Sequence, residues 1–526
     1  MRKLSFLLVL VMLLMTCAGC GTEPANGSTG TRPNTTAQTT RPSTTVPPTT
    51  APEVDYANST VILYTANVRG DVGLYSAIAA ARAAYEAMGA EVFLVDAGNY
   101  LQGTAYANGD MGLSVYGLME AAGYDVAGMG VLELAYGNAE VGYADHGDLV
   151  KYYTQAELYR GTPQLQYRQN AAWDKTPVMA VRGEKAAADF HVICSNLIRG
   201  ENATNYYDFE ASVVLGEKLR IGFVSTMPDN ATDYVDSRLL AGYSYWEIAE
   251  PDCDILVSLG GGSGDIVIEA PVDGGLRVGA WVIDRQTRRI TTETVDLTGK
   301  DEHVDRLIAS IQVPEVIGTN QQILNGSVAA NCNGQTGLGL LAADALKWYA
   351  QTYMQELEYP VIGLQSGGNC RNFLYNGQIT QMDLDRAYHT STAGIAVIYV
   401  TGAQLLEALE AATQQAYCPA WPQVSGIAYT VDLSKVYDAG QAYGHYYQAA
   451  SIQRVSIATE GFDPAATYAV IADRMLLLGG ETYYMFRECQ SVVYGEDGLT
   501  VSDIVALYIR QELGGTLDYA DTRRNA

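Results

Sequence analysis

Histidine is scarce in this chain, with 5 among 526 residues. A neutral imidazole is the commonest protein ligand for transition metals and the usual general base near neutral pH. His146, His191, His303, His389 and His445 form no cluster of zinc-site spacing with cysteine, and the six cysteines after Cys20 contain no C-x-x-C pair, which argues against the zinc-ribbon and redox-dithiol classes. Positive charge is also short. Lys and Arg number 32 against 59 Asp and Glu, a formal charge of −27, which argues against nucleic-acid backbones and anionic lipid headgroups as partners and disfavours unassisted capture of polyanionic nucleotides. Beyond the first residues no stretch is long and apolar enough to span a bilayer. Phenylalanine is sparse at 8, beside 37 tyrosines, whose polar tips suit interfaces as well as cores.

What is present begins at the N-terminus. Arg2 and Lys3, an apolar run from Leu4 to Met15 and the end Ala18-Gly19-Cys20 read as a secretory signal over residues 1–20. That ending resembles the lipobox of bacterial lipoproteins, which implies lipidation at Cys20. Cys17 departs from the usual leucine, and an ordinary signal peptide is the alternative. Residues 21–55 are Thr, Pro, Ser, Gly and Asn with almost no large apolar residue, so they are expected to form a disordered tether. At roughly 3 Å per residue it would reach on the order of 100 Å. The expected location is the extracellular face of a bacterial membrane, with the lipid as the only membrane contact. Six further cysteines (Cys194, Cys253, Cys332, Cys370, Cys418, Cys489) are compatible with disulfides or with buried thiols, and their spacing selects no pairing.

From Thr60 to about Leu297 short apolar runs alternate with helical patterns. Val61–Thr65, Glu91–Asp96, Phe190–Ser195, Leu219–Ser225 and Asp254–Leu259 read as buried strands, Leu74–Met88 and Leu113–Ala122 as helices, and Leu276–Asp284 with Arg289–Leu297 as a hairpin. This is an α/β (α+β) pattern. A second unit, also mixed α/β, starts near Gly318, with helices at Gly337–Leu357 and Ala403–Thr413 and strands at Pro360–Leu364, Ile395–Val400, Ile427–Val431 and Tyr468–Ile471. The expected domains are therefore 56–300 and 318–526, with 301–317 as a linker.

Four blocks of the first unit resemble those of the 5'-nucleotidase family: Thr65-Ala66-Asn67-Val68-Arg69-Gly70, Asp96-Ala97-Gly98-Asn99 with Gln102-Gly103-Thr104, Gly130-Val131-Leu132-Glu133-Leu134-Ala135-Tyr136-Gly137, and Gly260-Gly261-Gly262-Ser263-Gly264. In the second unit Thr401-Gly402-Ala403-Gln404-Leu405-Leu406, Pro422-Gln423-Val424-Ser425-Gly426 and Leu478-Gly479-Gly480-Glu481 follow the same family. The resemblance implies a calcineurin-like metallophosphoesterase β-sandwich flanked by helices, then a 5'-nucleotidase C-terminal domain, with two divalent metals between carboxylate and imidazole ligands. Here those ligands are replaced. Aspartates are replaced at Asn67, Asn99 and Ala135, histidines at Arg69, Leu132, Gly262 and Gly264, and an asparagine at Val131. Asp96 and Glu133 survive and suit structural roles at strand ends.

For the second unit the resemblance implies a nucleoside cleft, in which Trp421, Met475 and Glu481 take vestigial substrate-binding positions and Arg371 is the nearest arginine to the one missing from Gln365-Ser366-Gly367-Gly368-Asn369-Cys370. No cofactor is expected. The leading expectation is a catalytically inactive surface protein that binds a small ligand or scaffolds protein or glycan. An active phosphoesterase with a non-standard metal site is the alternative, and a purely structural role for the tyrosine-rich surface is a third. The segment from about Tyr143 to Ala188 is the least family-like part of the first unit and a candidate for a replacement function. A Cys20→Ala variant with the tether intact is expected to leave the membrane fraction for the soluble one; continued partition into detergent or membrane refutes lipidation at Cys20.

Overall fold

The computed structural model describes residues 54–110, 112–136, 190–201, 209–354, 357–388, 394–414, 417–435, 454–489, 492–495 and 498–520, and the backbone of four strands between 157 and 187. The expected signal, Cys20, most of the tether, His146, His389 and His445 lie outside the described residues. Residues from Asp55 onward cluster as one compact unit.

The first half is built on β1 (Ser59–Ala66), whose β-branched and apolar residues are buried almost throughout. It pairs in parallel with β2 (Glu91–Asp96) and antiparallel with Arg277–Asp284. β2 pairs with β3 (Val126–Gly128), and Ile290–Glu293 and His191–Ile193 close the two edges of this six-stranded sheet. A second sheet runs Val213–Leu215, Ile221–Ser225, Ile255–Leu259, Ile266–Ile268. Ile62, Phe93, Val95 and Ile193 of the first sheet share a core with Phe223, Val257, Leu259 and Ile266 of the second, so the two sheets make a β-sandwich. The helix α1 (Gly73–Ala87) is rich in alanine, the best helix former. Its Arg82 pairs with Glu86 and with Asp125 at 2.9 Å, while Asp125 accepts the Leu94 N–H at 2.8 Å, so one ion pair ties helix, β2 and the start of β3 together.

In the second half a five-stranded sheet runs Pro422–Ser425, Val361–Ser366, Thr467–Asp473, Ile395–Thr401, Val492–Tyr494. Side chains alternate between its two faces. Val361, Val397, Ala469 and Ile471 pack with the helix Gly337–Tyr353, and Ile362, Ile398, Val400 and Val470 with the helix Gly402–Ala412. The expected mixed α/β architecture is what forms.

Two features differ from the sequence reading. Residues 301–317 are not merely a connector. Asp301 caps the helix Glu302–Ser310 by accepting the His303 and Val304 N–H groups, and its backbone exchanges bonds with Ser76 Oγ on α1. Within the segment from Tyr143 to Ala188, Glu157–Arg160 pairs with Glu184–Ala187 and Pro163–Tyr167 with Pro177–Val181, two nested antiparallel ladders. Among the described residues no helix is long and apolar enough to cross a membrane.

Candidate functional site

The ends of β1, β2 and β3 bring the first three sequence blocks to one edge of the sandwich. Glu133 is their anchor. Its side chain is buried, and it accepts four backbone N–H groups, those of Asn99 (2.8 Å), Tyr100 (2.7 Å), Leu101 (3.2 Å) and Gly130 (2.8 Å). Burial raises its pKa, and the four donors work against that rise. Gly130 has to be glycine, because a Cβ there would sit 2.5 Å from the Asn99 nitrogen. Asp96 is equally buried and accepts the Gly98 N–H at 2.7 Å and the Thr65 hydroxyl at 2.5 Å; Tyr124 adds a 2.8 Å contact to that hydroxyl. Desolvation pushes the Asp96 carboxyl well above the usual range.

Asn67 and Asn99 face each other within this frame. Asn99 Nδ2 donates to Asn67 Oδ1 at 2.9 Å and to the Ala270 carbonyl at 2.8 Å, and Asn99 Oδ1 accepts the Leu132 N–H at 3.1 Å. Asn67 Nδ2 donates to the carbonyls of Pro271 (3.0 Å) and Gly275 (3.3 Å). Both residues have positive φ, 56° and 62°, a region asparagine tolerates better than most residues. Arg69, at φ 50°, donates Nη2 to Asn376 Oδ1 at 2.8 Å, across to the second half. Burial lowers its pKa, while Glu133 and Asp273 support its charge. Val131, Leu132 and Ala135 are buried, and Gly262 and Gly264 supply no side chain.

Contacts between the halves concentrate beside this frame. Gln378 N–H donates to Gly103 O at 3.0 Å, Gln378 Oε1 accepts the Ala105 N–H at 2.7 Å, and Asn108 Nδ2 reaches Asp383 at 3.0 Å. Arg386 donates to the Ala135 carbonyl at 3.0 Å and lies over the Tyr136 ring.

In the second half the recurring blocks have structural explanations. Thr401 and Gln404 form a capping box on the helix Gly402–Ala412. Gln423 donates to the carbonyls of Asn331 (2.9 Å) and Gly334 (2.7 Å) and accepts the Thr336 N–H (3.0 Å), fixing the entry to the helix Gly337–Tyr353. Glu481 accepts the Ser366 hydroxyl at 2.8 Å, and Arg371 lies close enough to stabilise its charge against the burial that raises its pKa.

Residues 316–488 match the family described as 5'-nucleotidase, C-terminal domain. That stretch is therefore a 5'-nucleotidase C-terminal domain. The chain is also similar to the 5'-nucleotidase precursor of Thermus thermophilus (17% identity, TM-score 0.42, 89% of this chain and 99% of that one). It is similar to the NAD nucleotidase of Haemophilus influenzae (12%, 0.35, 89% and 98%) and to the 5'-nucleotidase of Candida albicans (10%, 0.36, 86% and 97%). Comparison with curated protein sequences gives no match.

The two divalent ions implied for a 5'-nucleotidase do not fit the residues at the first site. Hard and borderline cations want carboxylates or imidazoles with free lone pairs. The Asn67 and Asn99 amides spend their polar atoms on each other and on backbone, Arg69 adds fixed positive charge, and among the described residues no group of three or more His, Cys, Asp or Glu side chains converges. Of the described histidines, His191 contacts Glu210 at 2.8 Å on the surface, and His303 sits in the first turn of its helix.

The expectation for Trp421 is corrected. It is 2% exposed and packed in the core with Val424 and Leu476, whereas Met475 is 53% exposed. A ring enclosed in the core offers no stacking face. Three tyrosines likewise serve the interior: Tyr388, Tyr429 and Tyr483 are fully buried, each with its hydroxyl on a backbone carbonyl. What the sequence reading missed was the segment Glu269–Gly275, which supplies the carbonyls that accept from Asn67 and Asn99; no local signal marks it.

Glu133→Gln leaves one acceptor oxygen for four donors. Two buried N–H groups without partners cost about 1–3 kcal/mol each, so denaturant titration should show a loss of about 2–6 kcal/mol; a loss under about 0.5 kcal/mol would contradict the anchoring role. Asp96 gives a pH dependence. Its folded pKa lies above the unfolded value, so its stabilising contribution is complete below about pH 4 and declines as pH rises through the folded value. Asp96→Asn keeps an acceptor for Gly98 and offers a donor to Thr65. The variant should therefore gain stability relative to the parent between about pH 5 and pH 8; parallel stability curves for the two proteins would refute it.

Proposed function

We propose that this protein is a catalytically inactive member of the 5'-nucleotidase family, is exported and held by lipid at Cys20 on the extracellular face of a bacterial membrane, and acts there by binding a ligand or scaffolding the surface. The observation that carries the reading is the Asn67–Asn99 amide pair. Where two-metal hydrolysis needs anionic ligands to gather two cations about 4 Å apart and lower the pKa of a bound water, this chain has a closed hydrogen-bond network of neutral amides and backbone carbonyls. Replacing a ligand's supporting partner alone costs about 10- to 100-fold in metal affinity or activity at known sites. Here the ligands themselves are replaced. Arg69 works in the same direction, since a guanidinium keeps its proton at any physiological pH and repels a cation. The apolar run before Cys20 and the polar tether after it support the export and anchoring part of the reading.

Elemental analysis of the purified mature protein, paired with AMP turnover with and without chelator, tests the reading. The expected result is no stoichiometric zinc, manganese or calcium and turnover equal to the buffer blank. About two tightly held metals per chain, with AMP hydrolysis lost on chelation, would overturn it in favour of an active phosphoesterase.

A further inference from the structure

The closed amide pair has an open side. A cavity of about 430 Å³ is lined by Pro228, Asn230, Tyr234, Gly260, Gly261 and the segment Glu269–Asp273. That size suits a small organic molecule. Its wall includes Ala270 and Pro271, whose carbonyls accept from Asn99 and Asn67, so the cavity and the former metal position share a partition. The space exists because side chains are missing from it. Gly261 has φ 131°, a conformation closed to other residues, and a Cβ built on it would meet nothing within 4 Å.

The chemistry of the wall is one-signed. Glu269 and Asp273 are its two charged residues, both are exposed, and no lysine or arginine contributes to the lining. Two arginines lie near. Arg277 approaches Glu269 at 3.5 Å from the exposed surface, and Arg69 feels Asp273 but commits its Nη2 to Asn376. Asp229 and Asp233, exposed beside the lining residues Pro228, Asn230 and Tyr234, add negative charge to a chain that already carries −27. Tyr234 supplies the aromatic ring, Pro228, Pro271 and Val272 supply apolar surface, and Asn230 supplies a neutral polar group. Carboxylates beside an aromatic ring favour a cation with an apolar body, and disfavour a phosphate ester.

We propose that this cavity binds a small organic cation, an ammonium group on a compact apolar body, with Tyr234 against the cation and Glu269 and Asp273 balancing its charge. The proposal rests on the ligand-binding form of the function proposed above and names the class of ligand.

The test uses choline and its uncharged isostere 3,3-dimethylbutan-1-ol as probes, titrated calorimetrically into the full mature chain. Choline should bind at least about ten-fold tighter than the neutral isostere, and Tyr234→Leu should weaken it about two- to five-fold, the usual worth of a cation–ring contact. Asp273→Asn and Glu269→Gln, both exposed positions that tolerate the change, should each weaken choline and leave the isostere unaffected. Equal affinity for the two probes, binding of neither, or carboxamide variants that match the parent would overturn the proposal. Metal content and AMP turnover, measured on the same preparations, keep the two readings apart. No metal and no choline binding sinks the cavity alone, while metal with turnover sinks the inactive reading whatever choline does.

Discussion

One carboxylate organises the edge of the sandwich where the sequence blocks meet. Four backbone N–H groups from two loops converge on Glu133. Loops that leave parallel strands at adjacent ends have no ladder to join, so their amides need another acceptor once buried. A neutral side chain has too few acceptor sites for this task, whereas an ionised carboxylate has about four. The positions of Asn99, Tyr100 and Gly130 follow from that convergence, and through Asn99 so does the amide pair with Asn67. The left-handed backbone at Asn67, Arg69 and Asn99 is held by the same convergence, since strained conformations persist only where the surroundings over-determine them.

This separates the blocks into two kinds of residue. Thr65, Asp96, Gly98, Gly130 and Glu133 bond to backbone or to each other, and they are among the block residues this chain shares with the family it resembles. Asn67, Arg69, Asn99, Leu132 and Gly262 stand where the family resemblance implies ligands or catalysis. The same holds in the second half, where the Thr401–Gln404 box and Gln423 explain their blocks through helix ends rather than through a ligand. The hydrogen bonds that hold this frame therefore do not depend on what stands at those positions.

Much of the fold was legible because its signals are local. Glu91–Asp96 and Leu113–Ala122 form where periodicity placed them, and the helix read at Ala403–Thr413 forms as Gly402–Ala412. The helix Glu302–Ser310 escaped notice although Asp301 and two acids in its first turn mark a start, because its apolar stripe is thin and a single residue, Val304, is fully buried. The positions where the resemblance implies ligands could be read from the blocks, but the partners of the residues that stand there could not. Asn67 and Asn99 bond to carbonyls more than 170 residues along the chain, and nothing in the local sequence encodes such a meeting. Trp421 misled for a related reason: a tryptophan reads the same whether it lines a cleft or fills a core, and only the packing of Val424 and Leu476 decides.

The position of β1 has a consequence for how the chain folds. It lies in the sheet between β2, which follows after one helix, and Arg277–Asp284, where Ser59 pairs with Asp284. During synthesis β2 is available early, but the other edge of β1 stays an unpaired row of backbone donors and acceptors until more than 200 further residues have emerged. Closing so long a loop is slow, and an open apolar strand edge invites mispairing while it waits. The final step of sandwich assembly is thus set by chain connectivity, and truncations ahead of residue 277 should yield an aggregating fragment rather than a smaller domain.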